Sequence, residues 1–427
     1  MVGRGALAAE PGAATPRVLQ DLEGLYPELD ALYRDLHQTP ELSMQEEKTA
    51  AKLAAKLRAL GFEVTQKVGG HGVVGILRNG PGPTVMVRTD LDALPVEEKT
   101  GLPYSSKVTA KDHEGKTVPV MHACGHDMHM SVWTGVATLL AKSKAHWKGT
   151  VMMVGQPAEE LGQGAATMLK AGLFKRFPKP DFALAVHNSS TAASGTVEYV
   201  PGFALASVDS VDVTLYGKGG HGAYPHTTVD PVLLAARYVV SLQTIVSRER
   251  NPLEPAVVTV GSIHAGTKHN IIPDEAKLQI TVRTYKPEVR AQILAAIERI
   301  AKGESLAAGS PRPPEVKITE GTPATYNDPE LTRRVVGAVG RVLGTQNVKE
   351  ASPVMGGEDF SEYGRAGVPA ALLWIGTVDP AKHQEAQKAG ATLPSLHSPV
   401  FAPDRERTLR TGVTALTTAA LEVLGQP

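Results

Sequence analysis

The chain has 427 residues, enough for two or three domains with a substantial core. Its 44 Lys+Arg match its 44 Asp+Glu, and aromatic residues make up only 5%, which excludes a broadly basic nucleic-acid binder or a stacking platform for single strands. The 42% hydrophobic content excludes a largely disordered chain, the single cysteine, Cys124, excludes an intramolecular disulfide, and no apolar run reaches the roughly 18–20 residues of a membrane span.

Residues 1–16 are small and turn-prone and read as a disordered tail. Ala6-Leu7-Ala8 resembles a signal-peptide cleavage site, but no long apolar stretch precedes it. As the sequence stands it is expected in the cytoplasm. The alternative is a start point inside a longer exported precursor. Leu22, Leu25, Leu29, Leu32 and Leu36 recur at helical spacing, and a second helix is predicted over 43–60, ending at Gly61. Strands follow at 62–68, 72–78 and 84–90, a helix at 126–144, a strand at 150–156, a helix at 163–171 and a strand at 181–187. Strands alternating with helices predict an α/β sandwich with a largely buried sheet and chemistry at the strand ends. The middle of the chain reads strand 207–217, helix 229–248, strands 256–263 and 277–285, helix 287–303 and strand 315–320. That β-α-β-β-α-β order is the ferredoxin-like plan, here inserted into the α/β chain. The first pattern resumes with helix 328–343, strand 370–376 and a closing helix from about Asp404. The expected domains are 17–204 with 321–427, and 205–320.

The densest chemical signal is MHACGHDMHM (121–130), which places His122, Cys124, His126, Asp127 and His129 at a strand-to-helix junction. A thiolate beside imidazoles suits a borderline-soft metal such as zinc. In GQPAEELGQG (155–164), Glu159 and Glu160 follow a strand, so one can bind a metal while the other takes a proton from activated water. A Glu-Glu pair is ordinarily a solvated helix start, and a lone His187 or His397 is ordinarily structural. Cys124, His126, Glu160, His187 and His397 together are too many donors for one tetrahedral zinc, and fit two metals with open positions.

RDLHQTPELSMQEEKTA (34–50), RTDLDALPV (88–96), MHACGHDMHM, GQPAEE, GKGGHGAYPH (217–226), HNIIPDEAKLQITVR (269–283), MGGEDFSEY (355–363) and SLHSPVF occur in that order. The chain from about residue 20 resembles the hippurate-hydrolase branch of the aminoacylase–carboxypeptidase metalloamidohydrolases, which includes N-acyl-amino-acid amidohydrolases and auxin-conjugate hydrolases. The resemblance implies a di-metal aminopeptidase-like α/β catalytic domain with an inserted ferredoxin-like lid and dimerisation domain. It implies two divalent ions per subunit, zinc first, with manganese, cobalt or nickel as alternatives. Cys124, His126, Glu160, His187 and His397 match the family's metal ligands, Cys124 as the bridge, and Glu159 matches its catalytic carboxylate. His221 matches a lid histidine that reaches the partner subunit's site and stabilises the oxyanion. Asn270 and Arg283 match substrate-contacting lid residues, Arg283 at the carboxylate. Gly356 and Gly357 are expected, as glycines, to let backbone approach the substrate. The wider family's His-x-Asp motif reads Arg88-Thr89-Asp90 here, so its histidine ligand is missing. His126 replaces it, and Asp90 becomes a supporting or substrate-side group.

The implied activity is hydrolysis of the amide bond of N-acyl or N-aminoacyl amino acids with a free carboxylate, in a homodimer or homotetramer built through the lid, with no nucleic-acid or membrane partner. A dipeptidase or carboxypeptidase on the same scaffold is the alternative. A thiol hydrolase using Cys124, with His126 or His129 as base, and a catalytically dead binding protein are the remaining classes. His37 and Glu41 are expected to fix a helix-to-loop turn, and Glu358 and Asp359 to cap the helix that follows them.

Overall fold

The computed structural model describes residues 15–426. The tail expected over 1–16 lies outside them except at its end, where a short helix already starts at Thr15. The chain divides into two compact units, Met1–Ala204 with Tyr326–Ser352 and Asp359–Pro427, and Leu205–Thr325 with Pro353–Glu358.

The first unit is built on an eight-stranded mixed sheet. Its strand order is Glu63–Gln66, Val73–Asn79, Gly149–Gln156, Thr84–Asp90, Phe182–Ala193, Ala370–Val378, Val197–Tyr199 and Val348–Glu350. Thr84–Asp90 runs parallel to both Gly149–Gln156 and Phe182–Ala193, so three carboxyl ends open on one edge. These strands are near-continuous apolar runs because both faces are covered. Helix His126–Lys142 is buried from His126 to Leu140, packed between the sheet and helices Leu22–Gln38 and Arg405–Val423. Trp133 fills its contact with the sheet and donates its indole N–H to the Val87 carbonyl at 3.0 Å, which satisfies its one polar group.

Helix starts follow a local rule. Asp230, Asp328 and Asp379 each precede a proline at the first helical position, and each carboxylate accepts from two of the next amides. Helix Pro380–Ala389 is one of these, although it buries none of its residues.

The second unit holds a four-stranded antiparallel sheet in the order Ala256–Ala265, Glu275–Thr284, Ser207–Tyr216, Glu315–Glu320. That is the order of a ferredoxin-like fold. Helices Pro231–Thr244 and Pro287–Ala307 cover one face, with Leu234, Tyr238, Ile293 and Ile297 against Val211, Val213, Leu278 and Ile280. Strand alternation fixes the rest: Ala276, Leu278, Ile280, Val282 and Thr284 point inward, so Arg283 lies on the opposite face. The segment Pro353–Glu358 joins this unit because Leu205 bridges Val354 and the Ala206 amide donates to the Gly356 carbonyl. No helix among the described residues is long and apolar enough to cross a membrane.

Candidate metal centre

The donors gather where the parallel strands of the first unit end. Gly125 turns the chain into helix His126–Lys142 with φ at +79°, and a Cβ there would stand 2.2 Å from the Asn188 amide nitrogen. Asn188 follows His187 on its strand and donates to the Cys124 and Gly125 carbonyls at 3.2 and 2.9 Å. It thereby locks the Cys124–His126 turn onto the strand carrying His187. The loop with His397 is fixed by its amide, which donates to the Ala123 carbonyl at 2.9 Å.

The metal-ligating atoms of Cys124, His126 and His187 lie within 4.8 Å of one another, and so do those of Cys124, Glu160 and His397, and of His126, Glu159 and Glu160. Cys124 belongs to two of these groups, with its Sγ 3.6 Å from His187 Nε2. Glu160 Oε1 lies 3.4 Å from His397 Nε2 and 3.8 Å from His126 Nε2. These spacings are too long for strong hydrogen bonds and would admit a metal ion among the donors at roughly 2.0–2.3 Å from each. Both His126 Nε2 and Glu160 Oε1 are buried yet find no hydrogen-bond partner among the described residues. Buried polar atoms are normally satisfied, so this orphaned pair fits the binding of a cation.

The electrostatics agree. Burial works against a charge on His126, but Asp90, Asp92 and Glu160 outweigh it and raise its pKa to about 10. Carboxylates that hold a proton there would equally hold a metal cation. Burial pushes His187 and His129 down to about 4, keeping both imidazoles neutral at pH 7, the form in which an imidazole binds a metal.

Other members of MHACGHDMHM do different work. His129 Nδ1 meets Asp90 Oδ1 at 2.8 Å and its Nε2 accepts the Asn188 amide at 2.9 Å, so both nitrogens are engaged. Asp90 Oδ2 accepts from the Arg88 guanidinium at 2.9 Å, which makes Asp90 a brace behind His129, with the same oxygen 3.8 Å from His126 Nε2. Arg88, wholly buried, also donates to Gln156 and to Asp359. Asp127 turns away to His37 at 2.7 Å.

One sequence expectation is extended here. His37 does more than shape a turn: it is a buried cation between Asp127 and Glu98 (3.1 Å), which overcome burial and raise its pKa to about 10. Asp359 reaches into the sheet, where its oxygens accept from Arg88, Gln156 and the Ala165 amide. Glu41 instead accepts from the Lys48 and Thr49 amides, at the start of helix Glu47–Ala59. Sequence reasoning also missed Asp92. Its two oxygens accept the Glu159 and Glu160 amides, and Oδ1 lies 3.4 Å from His126 Nδ1.

The remaining expected site residues belong to the second unit. His221 and Asn270 are exposed and lie on neighbouring segments, where Gly220–His221 pairs with Ile271–Ile272 and the Gly222 amide donates to the Asn270 carbonyl. Arg283 is half-buried and forms no ion pair among the described residues, because the nearby Asp209 is held by both ends of the Arg290 guanidinium. Gly357 lies against it: a Cβ there would stand 2.3 Å from Val208 Cγ2 and 3.4 Å from Arg283 Nη1.

Comparison with known proteins gives this arrangement its kin. Residues 86–394 match peptidase family M20/M25/M40. An N-acetyl-L-cysteine deacetylase of Bacillus subtilis is 38% identical over 84% of this chain and 82% of its own length. Thermostable carboxypeptidase 1 of Saccharolobus solfataricus is 37% identical over 87% of this chain and 90% of its own. The crystal structure of the YXEP protein of Bacillus subtilis, a dinuclear metal binding peptidase, covers 94% of this chain and 100% of its own with a TM-score of 0.74 and 29% identity. A sheet whose strand ends gather thiolate, imidazole and carboxylate donors, and relatives of this kind along most of its length, make the chain a member of the M20/M25/M40 peptidase family and a metal-dependent hydrolase of C–N bonds.

Proposed function

We propose that the chain removes the acyl group from N-acyl amino acids that carry a free carboxylate. Cys124, His126, Glu160, His187 and His397 would hold two divalent ions and Glu159 would be the base. The observation that carries this reading is the convergence of those five donors with Glu159, whose Oε2 lies 3.8 Å from His126 Nε2. Two deacetylases and a carboxypeptidase among its relatives support the substrate class. Zinc suits the mixed thiolate, imidazole and carboxylate set best, with manganese, cobalt or nickel as alternatives.

A divalent ion held by these residues would lower the pKa of water towards ~7 and polarise a carbonyl. Glu159 then accepts the proton of the attacking water and delivers it to the leaving nitrogen. His221 and Asn270 donate hydrogen bonds to the oxygen on which charge develops, His221 from the partner subunit of a homodimer. Arg283, a planar fork with no carboxylate partner among the described residues, receives the substrate carboxylate.

The test is a panel of N-acyl amino acids, their C-terminal amides and dipeptides on chelator-stripped, metal-reconstituted enzyme. N-acyl amino acids should be cleaved fastest, and chelation should abolish turnover until metal is returned. Arg283→Ala should weaken acids more than amides by about 10- to 100-fold, the worth of a charge-assisted contact of ~1.5–3 kcal/mol. Equal losses for acids and amides would remove Arg283 from carboxylate recognition. Preference for dipeptides would favour the peptidase reading, and activity indifferent to chelator would favour a Cys124 thiol mechanism.

A further inference from the structure

We propose that Glu46 is a positioning residue for the reaction, holding Ala158 in the backbone conformation that aims Glu159. This rests on reading Glu159 as the base.

Ala158 is a buried, non-glycine residue with φ at +51°, in the left-handed region. Such a conformation costs on the order of 1–3 kcal/mol and persists only where surroundings impose it. Here it sits between the end of strand Gly149–Gln156 and the Glu159-Glu160 pair, so its dihedral angles set the direction of both carboxylates. The imposing contact comes from Glu46, whose Oε1 accepts the Ala158 amide at 2.8 Å and the Met44 amide at 2.9 Å. One step along, Asp92 takes the Glu159 and Glu160 amides at 3.2 and 3.0 Å, and is itself held by the Ser43 hydroxyl at 2.6 Å. Three successive amides thus end on two buried carboxylates from distant parts of the chain. Asp92 serves base and ligand alike, whereas Glu46 acts on the strained residue.

Glu46 is also a costly choice for a purely structural acceptor. Its side chain is wholly buried, and Oε2 finds no hydrogen-bond partner among the described residues. Burial and the neighbouring Asp92 charge raise its carboxyl to about 7. A catalytic group displaced by about 1 Å can lose 10²-fold in rate, so a loosened Ala158 should appear in turnover before binding.

The experiment compares Glu46→Ala, Glu46→Gln, Glu46→Asp and the double variant Glu46→Ala/Ala158→Gly for kcat, KM, metal per chain by elemental analysis and melting temperature. Glu46→Ala should lower kcat at least about 10-fold, with KM within about twofold and metal per chain unchanged. Glu46→Gln keeps an oxygen acceptor and should recover most of the kcat. Adding Ala158→Gly should recover part of it, because glycine adopts positive φ without a Cβ penalty. Glu46→Asp withdraws the acceptor by one methylene and tests the same loss if the alanine variant does not fold.

A kcat per metal-loaded chain within twofold of wild type in Glu46→Ala or Glu46→Asp would overturn the proposal. So would a kcat loss matched by metal loss, or a glutamine variant no better than alanine. Glu159→Gln run in parallel separates the two claims. If it stays active, the assignment of Glu159 fails; if it is dead while Glu46→Ala turns over normally, only the role of Glu46 fails.

Discussion

The surroundings of His126 and those of His221 are built on opposite plans. Around His126, side chains are backed by further buried side chains: His129 by Asp90, Asp90 by Arg88, Arg88 by Gln156 and Asp359. His221 and Asn270 stand in solvent beside a two-residue ladder, with the His221 ring in contact with Tyr224 and its Nδ1 accepting the Ala223 amide. The contrast separates two ways of arranging reactive groups. The first region is preorganised by its own unit, so damage there should register as lost stability or lost metal as well as lost rate. In the second the fold fixes backbone and leaves the side chains to be completed by whatever binds, so damage should register in rate alone.

The sharpest break of this comparison is His221→Ala. Losing one oxyanion donor typically costs ~10²–10³ in kcat, and the melting temperature of the variant should stay at the wild-type value. If His221 serves the neighbouring subunit, a mixed dimer with one Glu159→Gln chain should contain one complete site. Co-expression at equal amounts should then restore roughly a quarter of wild-type activity, since half the dimers are mixed and each has one good site of two. No recovery in confirmed mixed dimers would place His221 in its own subunit's site or outside catalysis.

His37→Ala probes the other plan. It strips the cation from Asp127 and Glu98, and removing one partner of a buried pair typically destabilises by about 3–5 kcal/mol. All three tryptophans lie in the first unit, so urea unfolding followed by their fluorescence reports on it. The groups facing His37 are those two carboxylates and the Tyr33 and Tyr104 rings. Its pKa rises from 6.5 to about 10 on folding, so the protonated form stabilises the fold fully below pH 6.5 and that stabilisation is lost as pH climbs towards 10. The gap between wild type and variant should therefore narrow across that window. A gap independent of pH would mean that His37 acts through packing alone.

What could be read in the sequence follows the same division. MHACGHDMHM and the Glu-Glu pair were legible because their chemistry is crowded into one segment each, and the inserted β-α-β-β-α-β unit was legible because its apolar periods are strong. Glu46 was not: within MQEEK it reads as a solvated helix start, and only the approach of Ala158, 112 residues on, gives it work. Asp92, Asn188 and His37 were missed for the same reason, since an acid, amide or imidazole takes its role from partners 59 to 90 residues away. Helix Pro380–Ala389 escaped because it buries nothing and so leaves no apolar period, although its Asp-Pro start was there to see. At Gly357 the packing adds a demand that the sequence does not show, since a Cβ there would meet Val208 and approach Arg283.

The central claim is that Glu159 moves the proton while Glu160 and its four companions hold the metal. Glu159→Gln tests it most directly, because the amide keeps the shape of the carboxylate and removes the base. The account predicts a loss of about 10²–10⁴ in kcat, with metal per chain and melting temperature at wild-type values. A variant that keeps more than about a tenth of wild-type kcat, or that loses activity only in step with its metal, would contradict it.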